Sequence, residues 1–530
     1  MRSLFYNTWI YAKFILKREK RYLIVWFAAL FFVTLGQAQS FVDLYPTAQD
    51  RVAVALSMEN PAIKAMMGPT YGNENYTLGA LMSQQTLLFT ATAIAIMNIL
   101  LIIRNTGAAE TKGTSDQLYA LPVGRLFQIG AAMIVSFIVN IVFSLAIAVG
   151  LYAMKIESMD LIGSLTYGGT VCVSGLFFAA VSALMAQISP SGALGLSFGL
   201  LGISYFVRAV GDVFSETVAL VSPLGMVMRA QVYVENDFTP IITLFLCYIL
   251  LVIIAFYLND KRDYGTGIYE RSIVPKPTSQ FLNSPFALTA KLLKVSAVAW
   301  VVGVAVIGVS FGAMLDSISD QIEKNDVMRE LFVVDGSTLV LEQFVSTIIL
   351  IMTVIGTIPC ILAITKMNAE ENSGRMEILI SRGVSRSSIL ASYLVFAAII
   401  SLVLNVIFAL GMYFGALSTM TSPIALSFYI RASLSYLPAM WFMIGLTVML
   451  YGASKKWMMM IWGYYSYSVF VIYFGQMLKL PEAAAKLTSY GNIPDANGNE
   501  PFSLVVVLMV LVTIFMIVFG FISYRKRDIN

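Results

Sequence analysis

Twelve long apolar runs, separated by short polar loops, leave this chain few ways to fold. They lie near residues 22–38, 84–104, 127–152, 165–188, 192–210 and 240–258, then 294–314, 342–365, 388–414, 427–452, 457–477 and 502–523. A helix needs about 20 apolar residues to cross a hydrocarbon core roughly 30 Å thick, and each run is close to that length. Backbone groups inside lipid must satisfy one another, which leaves helices or a closed barrel. The runs are continuous and show no period-two alternation, so a barrel is excluded. The expected fold class is an all-α polytopic membrane protein with twelve transmembrane helices arranged as two parallel six-helix repeats.

Composition agrees. Of 530 residues, 58% are hydrophobic and 12% charged, more apolar surface than a soluble domain could cover. Cys172, Cys247 and Cys360 all fall inside apolar runs, which gives no disulfide framework and no metal cluster. The chain has no histidine, the commonest general base and zinc ligand. No catalytic site and no metal site is therefore expected, and the chain reads as a non-enzyme. The basic stretch 2–22 leads into an apolar run without a small-residue cleavage site, so no cleavable signal peptide is expected.

Orientation follows from the loops. With both termini inside, most of the 34 Lys+Arg lie on the cytoplasmic face, including Lys261-Arg262, Lys455-Lys456 and Arg525-Lys526-Arg527. The outer loops are acidic. Each half ends in a basic tag, Lys261-Arg262-Asp263 or Lys526-Arg527-Asp528. The domains expected are a first six-span half with an N-terminal interfacial helix (1–258), a polar, Pro-containing cytoplasmic linker (259–286) and a second six-span half (287–530).

One inner loop is written twice, 261 residues apart. Glu110, Gly113, Asp116, Leu118, Val123 and Arg125 match Glu371, Gly374, Glu377, Leu379, Val384 and Arg386. Gly150-Leu151-Tyr152 and Gly411-Met412-Tyr413 keep the same offset. A short charged segment between the second and third spans of each half can dock into a soluble partner by complementary charge. For a single copy the plainer alternative is a solvated loop with anchor charges; repetition in register favours docking.

The stretch Ala369-Glu370-Glu371-Asn372-Ser373-Gly374-Arg375-Met376-Glu377, continuing to Arg382 and Arg386, resembles the acidic loop of the ABC-2 family of export permeases. The twelve-span length is similar to bacterial exporters of polyketide and tetronasin-like antibiotics. Arg208-Ala-Val-Gly211-Asp212, Ser222-Pro223-Leu-Gly225 and Arg527-Asp528 also match. The resemblance implies that Glu110, Gly113, Asp116, Arg125, Glu370, Glu371, Gly374, Glu377, Arg382 and Arg386 couple the permease to its ATPase subunit. The first copy departs from the pattern, with Ala109 for Glu370 and Leu121-Pro122 for Arg382-Gly383. The two halves are thus expected to grip their motors unequally.

The chain lacks a G-x-x-x-x-G-K-[ST] loop, so it has no phosphate cradle of that kind. No cofactor is expected on this chain. ATP and magnesium are expected on two copies of an ABC ATPase subunit, or on two related ones. The other partners are the lipid bilayer and a hydrophobic small molecule; nothing suggests nucleic acid.

Phe5 to Arg21 reads as a helix with Lys13, Lys17, Lys20 and Arg21 on one face and Phe5, Trp9, Ala12 and Leu16 on another. An interfacial helix and a simple positive anchor both fit; the family resemblance implies an elbow along the inner leaflet. Gly195, Gly199 and Gly202 would permit close helix approach. The resemblance places the fifth span of each half near the central path. It thereby nominates Ser197, Phe198 and Tyr205 in one half and Tyr464, Tyr465 and Tyr467 in the other, although tyrosines also form interfacial belts. Arg208 and Arg431 lie near outer span ends, within snorkelling reach of water. No run carries a central Asp or Glu, and Asn98, Asn140 and Asn405 are the deeper polar groups.

The expected function is the transmembrane permease of an ABC exporter in a bacterial cytoplasmic membrane, moving antibiotics or drugs outward by alternating access. Lipid or peptide export is the nearest alternative. An ion-coupled antiporter would want a carboxylate at depth, and a lipid-carrier enzyme would want clustered acids at one surface.

Overall fold

The computed structural model describes residues 4–58, 61–72, 76–263, 265–268, 284–324, 337–420, 423–474, 481–493 and 504–527. Among them the regular elements are all helical, and eleven helices are long and apolar enough to cross a membrane. The chain is an α-helical, multi-pass membrane protein. Its contacts divide it into Met1–Val274 and Pro275–Asn530, a division that falls inside the stretch expected as a linker.

The first unit contains α1 (Thr8–Leu44), α2 (Leu78–Asn105), α3 (Thr114–Tyr119), α4 (Phe127–Ala153), α5 (Leu161–Ile188), α6 (Ala193–Phe214) and α7 (Thr239–Lys261). The second contains α8 (Pro285–Lys324), α9 (Ser337–Asn372), α10 (Arg375–Ser381), α11 (Arg386–Thr419), α12 (Leu426–Ser435), α13 (Leu437–Ala453), α14 (Met460–Phe474) and α15 (Leu504–Lys526). The run expected near 427–452 is divided at Tyr436, because Pro438 occupies the first turn of α13 and cannot donate to a helix arriving from before it. The run near 457–477 forms a 3-10 turn, Trp457–Met459, and then the 15 residues of α14. Residues 475–480, the end of that expected span, lie outside the described residues.

Within each unit the same neighbours meet. The first and third spans pack together (α1 on α4; α8 on α11), as do the second and fourth (α2 on α5; α9 on α13). The fourth span of each unit also packs on its last span (α5 on α7; α13 on α15). Buried polar side chains join helices at depth. Asn98 and Asn140 exchange amide hydrogen bonds of 3.0 and 2.8 Å, and Ser136 donates to Asn98 at 2.6 Å. In the second unit Thr353 donates to Asn405 Oδ1 at 3.1 Å, and Ser433 donates to the Asn405 carbonyl at 2.8 Å. Each bond satisfies a group that would otherwise be stranded in hydrocarbon.

Two expectations need correction. The basic N-terminal segment is not a separate interfacial helix: it is the first part of α1, 37 unbroken residues or about 55 Å. It continues because Tyr11, Ala12, Ile15, Glu19 and Leu23 form one buried stripe against α2 and α4, while Trp9 and Phe14 stay exposed. Glu19 adds a 2.7 Å bond from Arg104 at the end of α2. The glycines Gly195, Gly199 and Gly202 do not mark a close approach either; nothing described lies within 4 Å of where their side chains would be.

The close approach occurs instead between α8 and α11. A Cβ on Gly312 would sit 2.1 Å from the Met412 carbonyl oxygen, and one on Gly415 2.2 Å from that of Val309. Neither backbone has room to yield, so small residues set this crossing. Gly312→Leu is expected to destabilise the chain by about 1–3 kcal/mol or more, read by unfolding in mixed micelles. Gly303→Leu, on the same helix with nothing within 4 Å, is the control and is expected to leave the transition in place.

Candidate functional site

The duplicated loop is built the same way twice. Each copy breaks its helix at a glycine in the left-handed region, Gly113 at φ 69° and Gly374 at φ 71°. That conformation strains any residue with a Cβ. The chain then turns into a short helix, α3 or α10, before the third span of its half.

The acids before those glycines point inward. Glu110 accepts bonds of 2.9 and 2.6 Å from the Arg262 guanidinium and one of 2.9 Å from the Gly265 amide. Arg262 also donates through Nε to Gln187 at 2.8 Å. In the second unit Glu371 accepts from Arg527 Nη2 at 2.9 and 2.7 Å, from the Tyr451 hydroxyl at 2.5 Å, and pairs with Lys455 at 3.2 Å. Arg527 lies over the rings of Tyr451 and Tyr524 at 4.8 and 5.1 Å. The glutamate and arginine side chains are 6% and 6% exposed in the first unit, and 0% and 13% in the second, so water competes little for either pair.

The loop arginines complete each clasp from the other side. Arg125 donates to the Arg262 carbonyl at 2.9 Å, and Arg386 donates to the Arg527 carbonyl at 2.7 Å. In both units, then, a carboxylate at or just past the end of the second span holds the guanidinium at the end of the unit's last span, and an arginine before the third holds the same residue's backbone. Arg262 and Arg527 belong to the repeated basic tags. The sequence shows those tags and those loops, but not their pairing across 152 and 156 residues. Asp528 of the second tag lies outside the described residues.

The other nominated loop residues divide between inside and outside. Glu370 is buried and takes bonds of 2.5 and 3.0 Å from Arg375. Asp116 and Glu377 stand exposed in the first turns of α3 and α10, and Arg382 is exposed where α10 ends. Beside them Leu121 and Ile378 are exposed apolar residues, 57% and 56% accessible. These side chains, and not Glu110 or Glu371, form the outward face of the two loops.

The nominated path residues are used for packing. Tyr205 donates to the Met66 carbonyl at 2.8 Å, Phe198 lies half-buried against the core, and Ser197 is buried with its hydroxyl unpartnered among the described residues. Tyr464 and Tyr467 donate to the carbonyls of Leu487 and Ala484, both at 3.0 Å, fastening the segment 484–487 to α14. Tyr465 reaches the Val354 carbonyl at 2.9 Å.

Arg208 does not snorkel. It is wholly buried, paired with Asp212 at 2.9 Å, and donates to the Ala65 carbonyl at 2.5 Å. Asp212 also receives Arg229 at 2.9 Å. The spacing of Arg208 and Asp212, four residues apart on a helix, carried that signal; Arg229 did not announce itself.

Residues 282–525 match the family described as "Multidrug efflux system permease Rv1217c, C-terminal domain". The full-length relative, the multidrug efflux system permease protein Rv1217c of Mycobacterium tuberculosis (strain ATCC 25618 / H37Rv), is 28% identical over 529 residues. The alignment covers 97% of this chain and 94% of the relative.

Removing one member of a buried pair leaves the other charge stranded, at about 3–5 kcal/mol. Glu110→Gln and Arg262→Gln are each expected to lower stability markedly, and the double variant by less than their sum. The check is a double-mutant cycle in detergent with a coupling energy of about 0.5–3 kcal/mol; a value near zero would break the clasp as described.

Proposed function

We propose that this chain is the permease subunit of an ATP-driven exporter that moves hydrophobic compounds such as drugs and antibiotics out of a bacterial cell. Similarity to a multidrug efflux system permease along nearly the whole chain supports the transport class. One structural observation carries the mechanism: each half ties its second-to-third loop to the end of its sixth span by the same carboxylate–guanidinium clasp.

In this proposal both termini and both loops lie on the cytoplasmic side of the cytoplasmic membrane, as the lysine and arginine distribution requires. Helix α14 is the core of a twelfth span, which gives two six-span halves, 1–258 and 287–530. ATP and magnesium reside on two copies of an ABC ATPase subunit, or on two related ones, each seated on one loop. The seat is the outward face: Asp116 and Leu121 in one half, Glu377, Ile378 and Arg382 in the other. Apolar residues ringed by charge are the composition of an interface with a rigid partner.

Glu110, Arg125, Glu371 and Arg386 have a different task from gripping the motor. They make each loop and the end of its sixth span one mechanical piece. A push on α3 or α10 reaches α7 or α15 without being absorbed by slack. Gly113 and Gly374 sit at the joint and fix the angle at which each short helix meets the motor. A hydrophobic substrate enters from the inner leaflet or cytoplasm, and ATP-driven loop movement switches its access outward.

Asp116→Arg together with Glu377→Arg is expected to abolish co-purification of the ATPase subunit and substrate-stimulated ATP hydrolysis, with the thermal unfolding of the permease unchanged. Full stimulation in that double variant would refute the docking surface.

A further inference from the structure

The two units differ at one place where their sequences are in register. In the first, Phe127 opens α4 and is 1% exposed, its ring 5.2 Å from Tyr11 and 5.2 Å from Tyr119. These three rings fill the space between the start of the first span, the loop helix and the third span. The loop offset puts Ser388 at the position of Phe127 and Ile380 at that of Tyr119. Aligning Ala12-Lys13 with Ala290-Lys291 puts Thr289 at the position of Tyr11. All three rings are missing from the second unit.

A cavity of about 340 Å³ stands there instead. Its walls include Leu288 and Leu292 of α8, Met376 and Leu379 of α10, and Ile389 and Tyr393 of α11. The volume lies in the range of small-ligand sites, roughly 300–1,000 Å³. Among the described residues the polar lining is Ser284, Thr289, Ser392, Tyr393, Glu370 and Arg375. Thr289 and Ser392 bond to each other at 2.9 Å.

The surroundings indicate what enters. On α8, Leu292 is 44% and Val295 75% exposed, so this flank of a membrane-spanning helix meets lipid. Of the charged side chains, Arg375 and Glu370 line the cavity, Lys366 lies 3.7 Å from Glu370, and Lys291, next to Leu292 on α8, and Glu377, next to Met376 on α10, are exposed. The one carboxylate in the lining, Glu370, is occupied by Arg375 Nε and Nη2 and lies 3.7 Å from Lys366. Arg375 is 60% exposed, and its Nη1 carries no bond among the described residues. Apolar walls beneath a surplus of positive charge, at the end of a spanning helix, are the features of a site for an anionic lipid.

We propose that this cavity binds an anionic phospholipid, one acyl chain lying against Leu288, Leu292 and Ile389 and the phosphate meeting Arg375. In the first unit the rings of Tyr11, Tyr119 and Phe127 occupy the corresponding positions. The bound lipid packs against α10, the short helix of the second loop, and fills the space that Phe127 and Tyr119 fill behind α3. The inference does not depend on the exporter reading, since lipid binding can be measured on the permease alone.

The test is native mass spectrometry of the full-length chain, released from micelles containing equal phosphatidylglycerol and phosphatidylcholine of one chain length. Wild type is expected to retain phosphatidylglycerol in preference, by about five-fold for one well-placed cation. Thr289→Tyr, which restores a first-unit ring, is expected to lose the retained lipid. Leu288→Trp, which fills the cavity from its lipid-facing wall, is expected to do the same should Thr289→Tyr fail to fold. Arg375→Gln is expected to keep a lipid and lose the preference. Equal retention of both lipids by wild type would overturn the proposal. So would wild-type retention of phosphatidylglycerol by a cavity-filling variant with an unchanged unfolding transition.

Discussion

A carboxylate at the C-terminal end of the second span, clasping a guanidinium at the end of the last, is the interaction on which each unit of this protein depends. Lipid gives helices no hydrophobic reason to choose one neighbour over another, since tails are as apolar as leucine. Small residues and polar bonds must supply that choice. Gly312 and Gly415 supply it for the first and third spans of one half, and the paired Asn98 and Asn140 for the second and third of the other. The last spans of the two units, α7 and α15, expose most of their length, as Leu246, Leu250 and Ile253 or Leu508, Leu511 and Phe515 show. Their C-terminal ends are fastened by the clasp.

Among the described residues, buried charge follows one rule: each buried acid has a guanidinium against it. Asp212 has Arg208 and Arg229, Glu19 has Arg104, Glu110 has Arg262, Glu370 has Arg375 and Glu371 has Arg527. An unpaired charge in such surroundings would shift to its neutral form, because desolvation penalises the ion. The pairing bears on mechanism. A proton-coupled carrier needs a carboxylate free to act in its path, and each of these carboxylates is taken up by a fixed guanidinium. An energy source outside the chain suits them better.

Much of this was legible in the sequence, and the misses share a cause. The spans followed from hydropathy because lipid imposes a length on every helix. The repeated loop was visible because its spacing is local. What could not be read was which distant residue an acid would face. Glu110 and Glu371 resembled free surface charges, since nothing near them in the chain announced Arg262 or Arg527. Arg208 resembled a snorkelling residue because its depth depends on Asp212, Arg229 and the carbonyl of Ala65 arriving from other segments. The N-terminal segment was read as interfacial from its basic face. Its other face proved continuous with the buried stripe of α1, and helices do not break where both their hydrogen bonds and their packing continue.

The halves are alike in how they are clasped and unlike in how their loop helices are set. The position next to the clasping acid is Ala109 in one copy and Glu370 in the other, and five residues on stand Thr114 and Arg375. In the first copy the Thr114 hydroxyl bonds the Ala109 carbonyl at 2.9 Å; in the second, Arg375 reaches Glu370 with two nitrogens. Both pairs bridge the same turn around the left-handed glycine. The first is a neutral bond to the backbone, which needs no particular side chain at residue 109. The second is a charge-assisted fork, roughly twice as strong and more directional. Behind it lies a cavity where the first copy has aromatic rings. One loop helix is thus braced by its own core, and the other by an ion pair over a space. Equal loads on the two loop helices would not meet equal resistance.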